Sequence, residues 1–356
     1  MAVTKATDSS LATSVGLTDE DLVAMYRLVA LARALDERMW VLNRAGRIPF
    51  VISGQGHEGA QVGITWPLTK GHDWIAPFYR SIATCLTFGM SPRDILTAQY
   101  ATANDPSSGG RQMPGHYGSH EHNLVSVSSP VATQLLHAVG IALAAKIRKT
   151  GQVAMTTMGE GSSNQGDVHE GLNFAAIHKL PFIFVVENNG YAISVPLARQ
   201  VAGSSVADRA AGYGMPGIVV DGNDVLACYA VMAEAAQRAR AGGGPTLIEA
   251  VTYRMGPHTT SDDPTRYQPR DEVELWAARD PLDRYRRYLH TTDVWTERLQ
   301  HRVEARAARL CTELRDATVN TPDMDIGELF DTVYADITPA LQAQRDQLMA
   351  ELAKEA

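Results

Sequence analysis

Apolar residues fall in two patterns along this chain. From Leu17 to Gly46 they recur at helical spacing in LTDEDLVAMYRLVALARALDERMWVLNRAG, which predicts one long amphipathic helix. Thr18 is placed to cap it, Leu17 and Leu22 to staple across the cap, and Gly46 to end it. From Pro130 onward, helices and short apolar runs alternate. VATQLLHAVGIALAAKIRK is helical, VAMTTMG reads as a buried strand, and QGDVHEGLNFAAIHK is a helix with Val168, Leu172, Ala175 and Ala176 on one face. FIFVVENN and GIVVDG are further strands, Asn223 or Asp224 opens the helix VLACYAVMAEAAQRARA, and TLIEAVTYR follows GGGP as a fourth strand. Strands alternating with crossover helices predict an α/β fold, a three-layer sandwich around a mainly parallel sheet.

The rest of the chain is less regular. Between Arg47 and Gly118, runs such as GQGHEGAQVGITWPL, DWIAPFYRS and DPSSGGRQMPGHYG are broken by Gly, Pro and His, which predicts loops around short helices. From Pro269 the chain is charged and helical, through DRYRRYL and a terminal ALQAQRDQLMAELAKEA, a tail expected to pack on a partner or stand in solvent. Residues 1–16 read as a flexible polar tail ahead of one domain over 17–356, and no internal repeat is present.

Composition narrows the class. At 356 residues, 45% hydrophobic and 20% charged, the chain is that of an ordinary globular protein, and a net charge of -8 argues against a phosphate-gripping nucleic-acid binder. No apolar run approaches a membrane span. Residues 1–16 lack the apolar block of a secretory signal, and with no Arg and with Asp8 they do not resemble a mitochondrial presequence. Cys85, Cys228 and Cys311 are scattered without a CxxC spacing, as expected of core residues in a reducing compartment. The expected location is the cytoplasm.

In open parallel sheets ligands sit at the carboxyl ends of strands, and two such ends here are MGEGSSNQG and VENNGYAIS. Glu160 lies between two glycines, and the neighbouring strand ends in paired asparagines. An acid, an amide oxygen and a backbone carbonyl would suit magnesium, which wants about six oxygens and leaves part of its shell to a diphosphate. The amides of Gly161 and Ser162 would add anion contacts. A Rossmann dinucleotide site fits less well, since GEGSSN lacks the third glycine of GxGxxG and an acid in that loop would repel a pyrophosphate.

With 26 residues between Gly161 and Asn188, this pattern resembles the thiamine diphosphate motif, Glu replacing its usual Asp. The resemblance extends from Tyr26 to about Tyr267. YRLVALARALDER, GHEGAQVG, GRQMPGHYG, SSPVATQ, GEGSSNQGDVHEGLNFAA, ENNGYAIS, VDGNDV and YRMGPHTTSDD are similar to the alpha subunits of heterotetrameric 2-oxo acid dehydrogenases. The branched-chain enzymes match best, through Glu in GEG, HYG after RQMP, and HTTSDD.

That resemblance implies a thiamine diphosphate-binding fold, in its diphosphate-binding half, with extra terminal helices. It implies that Glu160, Asn189 and the Tyr191 carbonyl ligate magnesium, and that Tyr79, Arg80, Ser129, Val131, Gly161 and Ser162 contact the cofactor. His258 would be the catalytic histidine, beside cofactor and substrate. Phe50 and Tyr79 would line the substrate pocket, though Phe50 after Pro49 reads equally as core. Glu187 departs from the eukaryotic pattern, where an Arg touches the diphosphate, so that contact is not carried over.

Ser128, Pro130, Thr133 and Gln134 match a potassium-binding segment of some relatives, but a helix N-terminus capped by Ser128 or Ser129 is the preferred reading. His116, His120 and His122 lack a Cys or a clear carboxylate partner beyond Glu121, so zinc is disfavoured. Thr259 and Thr260 lie where animal relatives are phosphorylated on serine.

The resemblance further implies oxidative decarboxylation of a 2-oxo acid and acyl transfer to a lipoyl group. The active site would be shared with a beta subunit, which contributes a glutamate, in an assembly of two alphas and two betas. The acceptor would be the lipoyl-bearing acyltransferase, with no NAD, nucleic acid or membrane bound by this chain. Alternatives are a pyruvate or acetoin dehydrogenase alpha subunit, and a non-catalytic assembly subunit.

Overall fold

Thr18 caps the first helix. In the computed structural model, which describes residues 16–292, 294–318 and 325–355, helix α1 runs Asp19–Arg44. Thr18 Oγ1 accepts from the Asp21 amide at 3.2 Å while the Asp21 carboxylate accepts from Thr18 N at 2.9 Å, a reciprocal capping box. Leu22, Met25, Tyr26, Val29, Leu35 and Met39 form its buried stripe. The expected tail over residues 1–16 falls outside the described residues, apart from Gly16.

The stretch from Arg47 to Gly118 is more regular than its broken pattern suggests. It holds helices α2 (Glu58–Thr65), α3 (Ile82–Phe88) and α4 (Pro92–Tyr100), and a strand, β1 (Trp74–Ala76). Three residues carry no visible period, and β1 exists through its pairing with a distant segment, Trp74 opposite Ala154.

Thereafter come α5 (Thr133–Arg148), β2 (Ala154–Gly159), α6 (Gly166–Ile177), β3 (Phe182–Asn188) and a small hairpin of β4 (Tyr191–Ala192) and β5 (Val195–Pro196). They are followed by β6 (Gly217–Asp221), α7 (Val225–Arg240) and β7 (Thr246–Val251). Asp224, not Asn223, caps α7 by accepting from Leu226 N and Ala227 N. The main sheet has the order β1-β2-β3-β7-β6, every pair parallel.

Side chains of β3 alternate between two cores. Ile183 and Val185 pack with Leu35 of α1, Val62 of α2 and Met232 of α7, while Phe182, Phe184 and Val186 pack with Leu135 of α5 and Leu172 of α6. Both faces of the sheet are thus covered, the three-layer arrangement expected of a parallel sheet. Gly63 brings α2 against α7, since a Cβ there would lie 2.6 Å from Cys228 Cβ.

One local expectation fails. Neither Ser128 nor Ser129 caps α5, which begins at Thr133 behind a left-handed Ala132 that makes no capping bond. Ser129 Oγ instead lies 2.5 Å from His116 Nε2.

The C-terminal region holds α8 (Arg270–Ala277), α9 (Pro281–His290), α10 (Glu297–Thr318), α11 (Glu328–Asp331) and α12 (Pro339–Glu355). Part of it belongs to the chain's own core. Tyr285 and Leu289 of α9 are buried, the Tyr285 hydroxyl donates to Leu22 O at 3.0 Å, and Trp295 packs edge-on to Tyr26 at 4.5 Å. No helix among the described residues is long and apolar enough to cross a membrane. Cys85 and Cys228 are buried free thiols, and the side chain of Cys311 lies outside the described residues.

Candidate active site

Four neighbouring strands deliver their following residues to one edge of the sheet. After β1 come Phe78, Tyr79 and Arg80; after β2, Glu160, Gly161 and Ser162; after β3, Asn189 and the hairpin with Tyr191 and Ile193; after β7, Arg254 and His258. Phe50 and Ile52 join them from the segment behind α1, and Met113, Ser129 and Val131 from the loops before α5. Together they line a cavity of about 430 Å³. Every residue expected to hold magnesium, cofactor or substrate lines it, Phe50 included, whereas Ser128, Pro130, Thr133 and Gln134 of the potassium-like segment do not. Ile52, Phe78, Met113, Ala192, Ile193 and Arg254 also line it and were not singled out; Thr259, noted for its place in the His258 loop, lines it as well.

One wall is built for a cation. Glu160 is 1% exposed, with no Lys or Arg paired to it among the described residues, and burial pushes its carboxyl above the usual range. Its oxygens receive only long bonds, 3.2 Å from Asn189 N and 3.4 Å from Gln200 Nε2. Asn189 Oδ1 and the Tyr191 carbonyl stand on the same wall. These are hard oxygen donors, and no group of three or more His, Cys, Asp or Glu able to cage a metal exists among the described residues. Such a set suits magnesium sharing its shell with a diphosphate. Gly161 lets the β4–β5 hairpin pack against this loop, since a Cβ there would sit 2.5 Å from Ala192 Cβ.

Two buried guanidinium groups line the same cavity. Arg80 and Arg254 are 1% and 0% exposed, yet neither guanidinium forms an ion pair among the described residues. Arg80 donates to the Ser53 carbonyl and, at 3.1 Å, to His258 Nδ1, and its Nε has no partner. Burial holds its pKa below the ordinary value. Arg254 donates to Ile193 O at 2.7 Å and Tyr191 O at 3.3 Å, tying the β4–β5 hairpin to the strand end beside it. Unpaired buried charge is costly, and a bound anion would relieve it.

His258 sits between these arginines and edge-on to Tyr79. Burial, then Arg80 and Arg254, push its pKa down to about 3, so the ring is neutral near pH 7. Its Nδ1 accepts from Arg80, which leaves the proton on Nε2. The Asp262 carboxylate fixes its backbone, accepting from His258 N at 2.6 Å.

Asp36 of α1 supports the Phe50 side. It is fully buried and accepts from Gly54 N (2.5 Å), Ser53 Oγ (2.9 Å) and Gln55 Nε2 (3.0 Å). Glu187 does not line the cavity; it is buried behind it. His116 is held by the Met113 carbonyl and Ser129 Oγ. A second cleft, of about 600 Å³ between α1 and α10, lies apart from these residues.

The chain matches the dehydrogenase E1 component family over residues 26–326. This chain belongs to the dehydrogenase E1 component family. Thiamine diphosphate is that family's cofactor, and the α/β sandwich described above is its thiamine diphosphate-binding fold. The E1 chain is 50% identical over 322 residues to the 2-oxoisovalerate dehydrogenase subunit alpha of Bacillus subtilis, covering 90% of this chain and 98% of that one. It is 50% identical over 338 residues to the 3-methyl-2-oxobutanoate dehydrogenase subunit alpha of Mycobacterium tuberculosis, with 95% and 89% covered. A pyruvate dehydrogenase E1 component subunit alpha of Staphylococcus aureus is 39% identical over 330 residues, with 92% and 86% covered. The expectation of a 2-oxo acid dehydrogenase alpha subunit is borne out.

Arg254 is the main buried cavity residue that motif reading passes over. It ends the run TLIEAVTYR, at the carboxyl edge of a strand, which is the signal that could have found it.

Proposed function

We propose that this E1 chain serves a branched-chain 2-oxo acid dehydrogenase, acting with a beta subunit in an assembly of two alphas and two betas. The observation that carries this reading is a single cavity lined by a buried carboxylate, Glu160, and two buried guanidinia, Arg80 and Arg254, none of which forms an ion pair among the described residues. A magnesium diphosphate answers both. Glu160, Asn189 and the Tyr191 carbonyl hold the metal, while Tyr79, Arg80, Ser129, Val131, Gly161 and Ser162 hold the cofactor. Bound thiamine diphosphate supplies the electron sink that lets a 2-oxo acid lose carbon dioxide.

The chain's own residues orient and protonate. His258, neutral and carrying its hydrogen on Nε2, donates to the anionic carboxylate or oxygen of the reacting substrate. Phe50 and Tyr79, with Ile52, Met113 and Ile193 near them, give a wall suited to a branched alkyl group. The acyl group then passes to the lipoyl arm of an acyltransferase. The branched-chain names of the two relatives at 50% identity, against 39% for the pyruvate enzyme, favour that substrate class.

Leu136 and Ile147 of α5 and Phe174 and Ile177 of α6 are exposed although these helices pack together, apolar surface that a beta subunit would cover. A potassium ion in the segment before α5 has support too. With the serine caps gone, the Pro130 carbonyl, the Thr133 hydroxyl bonded to it at 3.0 Å and the partnerless buried Oε1 of Gln134 are available oxygens. The buried free thiols support a reducing, cytoplasmic setting.

The test is reduction of an artificial electron acceptor by the alpha–beta complex over a panel of branched-chain 2-oxo acids, pyruvate and acetoin, with and without thiamine diphosphate and magnesium. The expected result is cofactor-dependent activity highest on the branched-chain acids. A preference for pyruvate or acetoin overturns the substrate class. Absence of cofactor binding in calorimetry would indicate an assembly subunit.

A further inference from the structure

Asn189 is a primary amide, and a half-turn about its last bond exchanges oxygen for nitrogen. Only the oxygen can ligate a cation, so something must choose the orientation. Behind the cavity, Glu187 at the end of β3 is fully buried, and its Oε2 receives Gln61 Nε2 at 2.9 Å and His57 Nδ1 at 2.7 Å. Glu187 Oε2 is the acceptor on that side, which puts the hydrogen of the His57 ring on Nδ1. The Nε2 of the same ring then offers a lone pair, and Asn189 Nδ2 lies 3.3 Å from it. On its other side Asn189 Oδ1 accepts from Tyr191 N at 3.1 Å. A flipped amide would set oxygen against the lone pair of His57 and N–H against N–H at Tyr191. Both contacts would be lost together.

We propose that His57 and Glu187 are positioning residues for the metal site: Glu187 sets the His57 tautomer, and His57 holds the Asn189 amide so that Oδ1 faces the cavity. This rests on Asn189 being a magnesium ligand, as read above. It also gives Glu187 a task in place of the diphosphate contact that an arginine makes in other relatives. Gln61 braces the group, since its Oε1 accepts from Ala83 N at 3.0 Å and its Nε2 also reaches Arg80 O at 3.1 Å.

Two substitutions separate positioning from mere support. In His57→Asn the side-chain nitrogen sits where Nδ1 was and keeps Glu187 paired, but nothing reaches Asn189. In His57→Gln the longer side chain puts an oxygen where Nε2 was and keeps the Asn189 contact, while Glu187 loses one of its two partners and keeps Gln61. The measurement is magnesium affinity, titrated calorimetrically into the alpha–beta complex with thiamine diphosphate present, beside thermal melts of the same complexes. We expect His57→Asn to weaken magnesium by roughly 10-fold to 100-fold, as loss of an outer-shell partner does, and His57→Gln to stay close to wild type. The reverse order, His57→Gln weak and His57→Asn normal, would mean that His57 only shields a buried carboxylate, and overturns the proposal. If either variant fails to assemble, the other is still read against wild type and decides. Asn189→Ala is the control: unchanged magnesium affinity there removes the ligand reading and this proposal with it, whereas weakened binding there beside normal His57→Asn removes this proposal alone.

Discussion

His258 and Arg80 are legible as residue types in their motifs, but their states come from burial. A loop histidine in water would be half-charged near pH 6.5; here burial and two guanidinia push it down to about 3. The folded pKa lies below the unfolded one, so between these values the unfolded chain binds the extra proton. The stability tied to a neutral His258 is therefore complete above about pH 6.5 and is lost as pH falls toward 3. The melting temperature of the wild-type complex relative to that of His258→Asn should stay constant above about pH 6.5 and fall as pH drops toward 3; parallel curves throughout would contradict the shift. The same variant should cut turnover by roughly 100-fold or more if His258 moves a proton in the rate-limiting step. Arg254→Met should weaken thiamine diphosphate by at least about 10-fold, the loss of one charge-assisted contact, and a fluorescence titration of the complex checks it.

At the scale of elements, long periodic segments were readable and short or nonlocal ones were not. The helix after Thr18, the strands FIFVVENN and TLIEAVTYR, and the cap at Asp224 follow from local spacing and side-chain chemistry. Strand β1 and the hairpin at Tyr191 did not, because pairing rather than pattern makes them. The α5 start was misplaced since Ser128 and Ser129 have capping chemistry but serve a loop, one of them bound to His116. The motif glycines and acids of the site were readable, whereas the supporting groups Asp36, His57 and Gln61 lie in other segments and become visible only in three dimensions. Asp36 shows their weight. Asp36→Ala leaves three donors unsatisfied and should cost about 3 kcal/mol, read by urea unfolding, with the Phe50–Gln55 segment loosened in hydrogen exchange. Gly63→Val should destabilise by about 1–3 kcal/mol through overpacking α2 against α7.

On the proposed reading, the whole molecule is half of a site. Its sheet presents oxygen ligands, guanidinia and His258 at one edge, with exposed apolar residues on α5 and α6 toward solvent. Replacing Leu136 and Phe174 together by Asp should shift the sedimentation profile of the alpha–beta mixture toward separate chains, without lowering the melting temperature of the isolated alpha chain by more than a few degrees. On the proposed reading, Glu160, Asn189 and Arg80 around one cavity hold a magnesium diphosphate. Calorimetric titration of thiamine diphosphate into the alpha–beta complex tests it most directly. Saturable, magnesium-dependent binding that disappears in the Glu160→Ala, Asn189→Ala double variant is the predicted result; binding of unchanged affinity in that variant would contradict it.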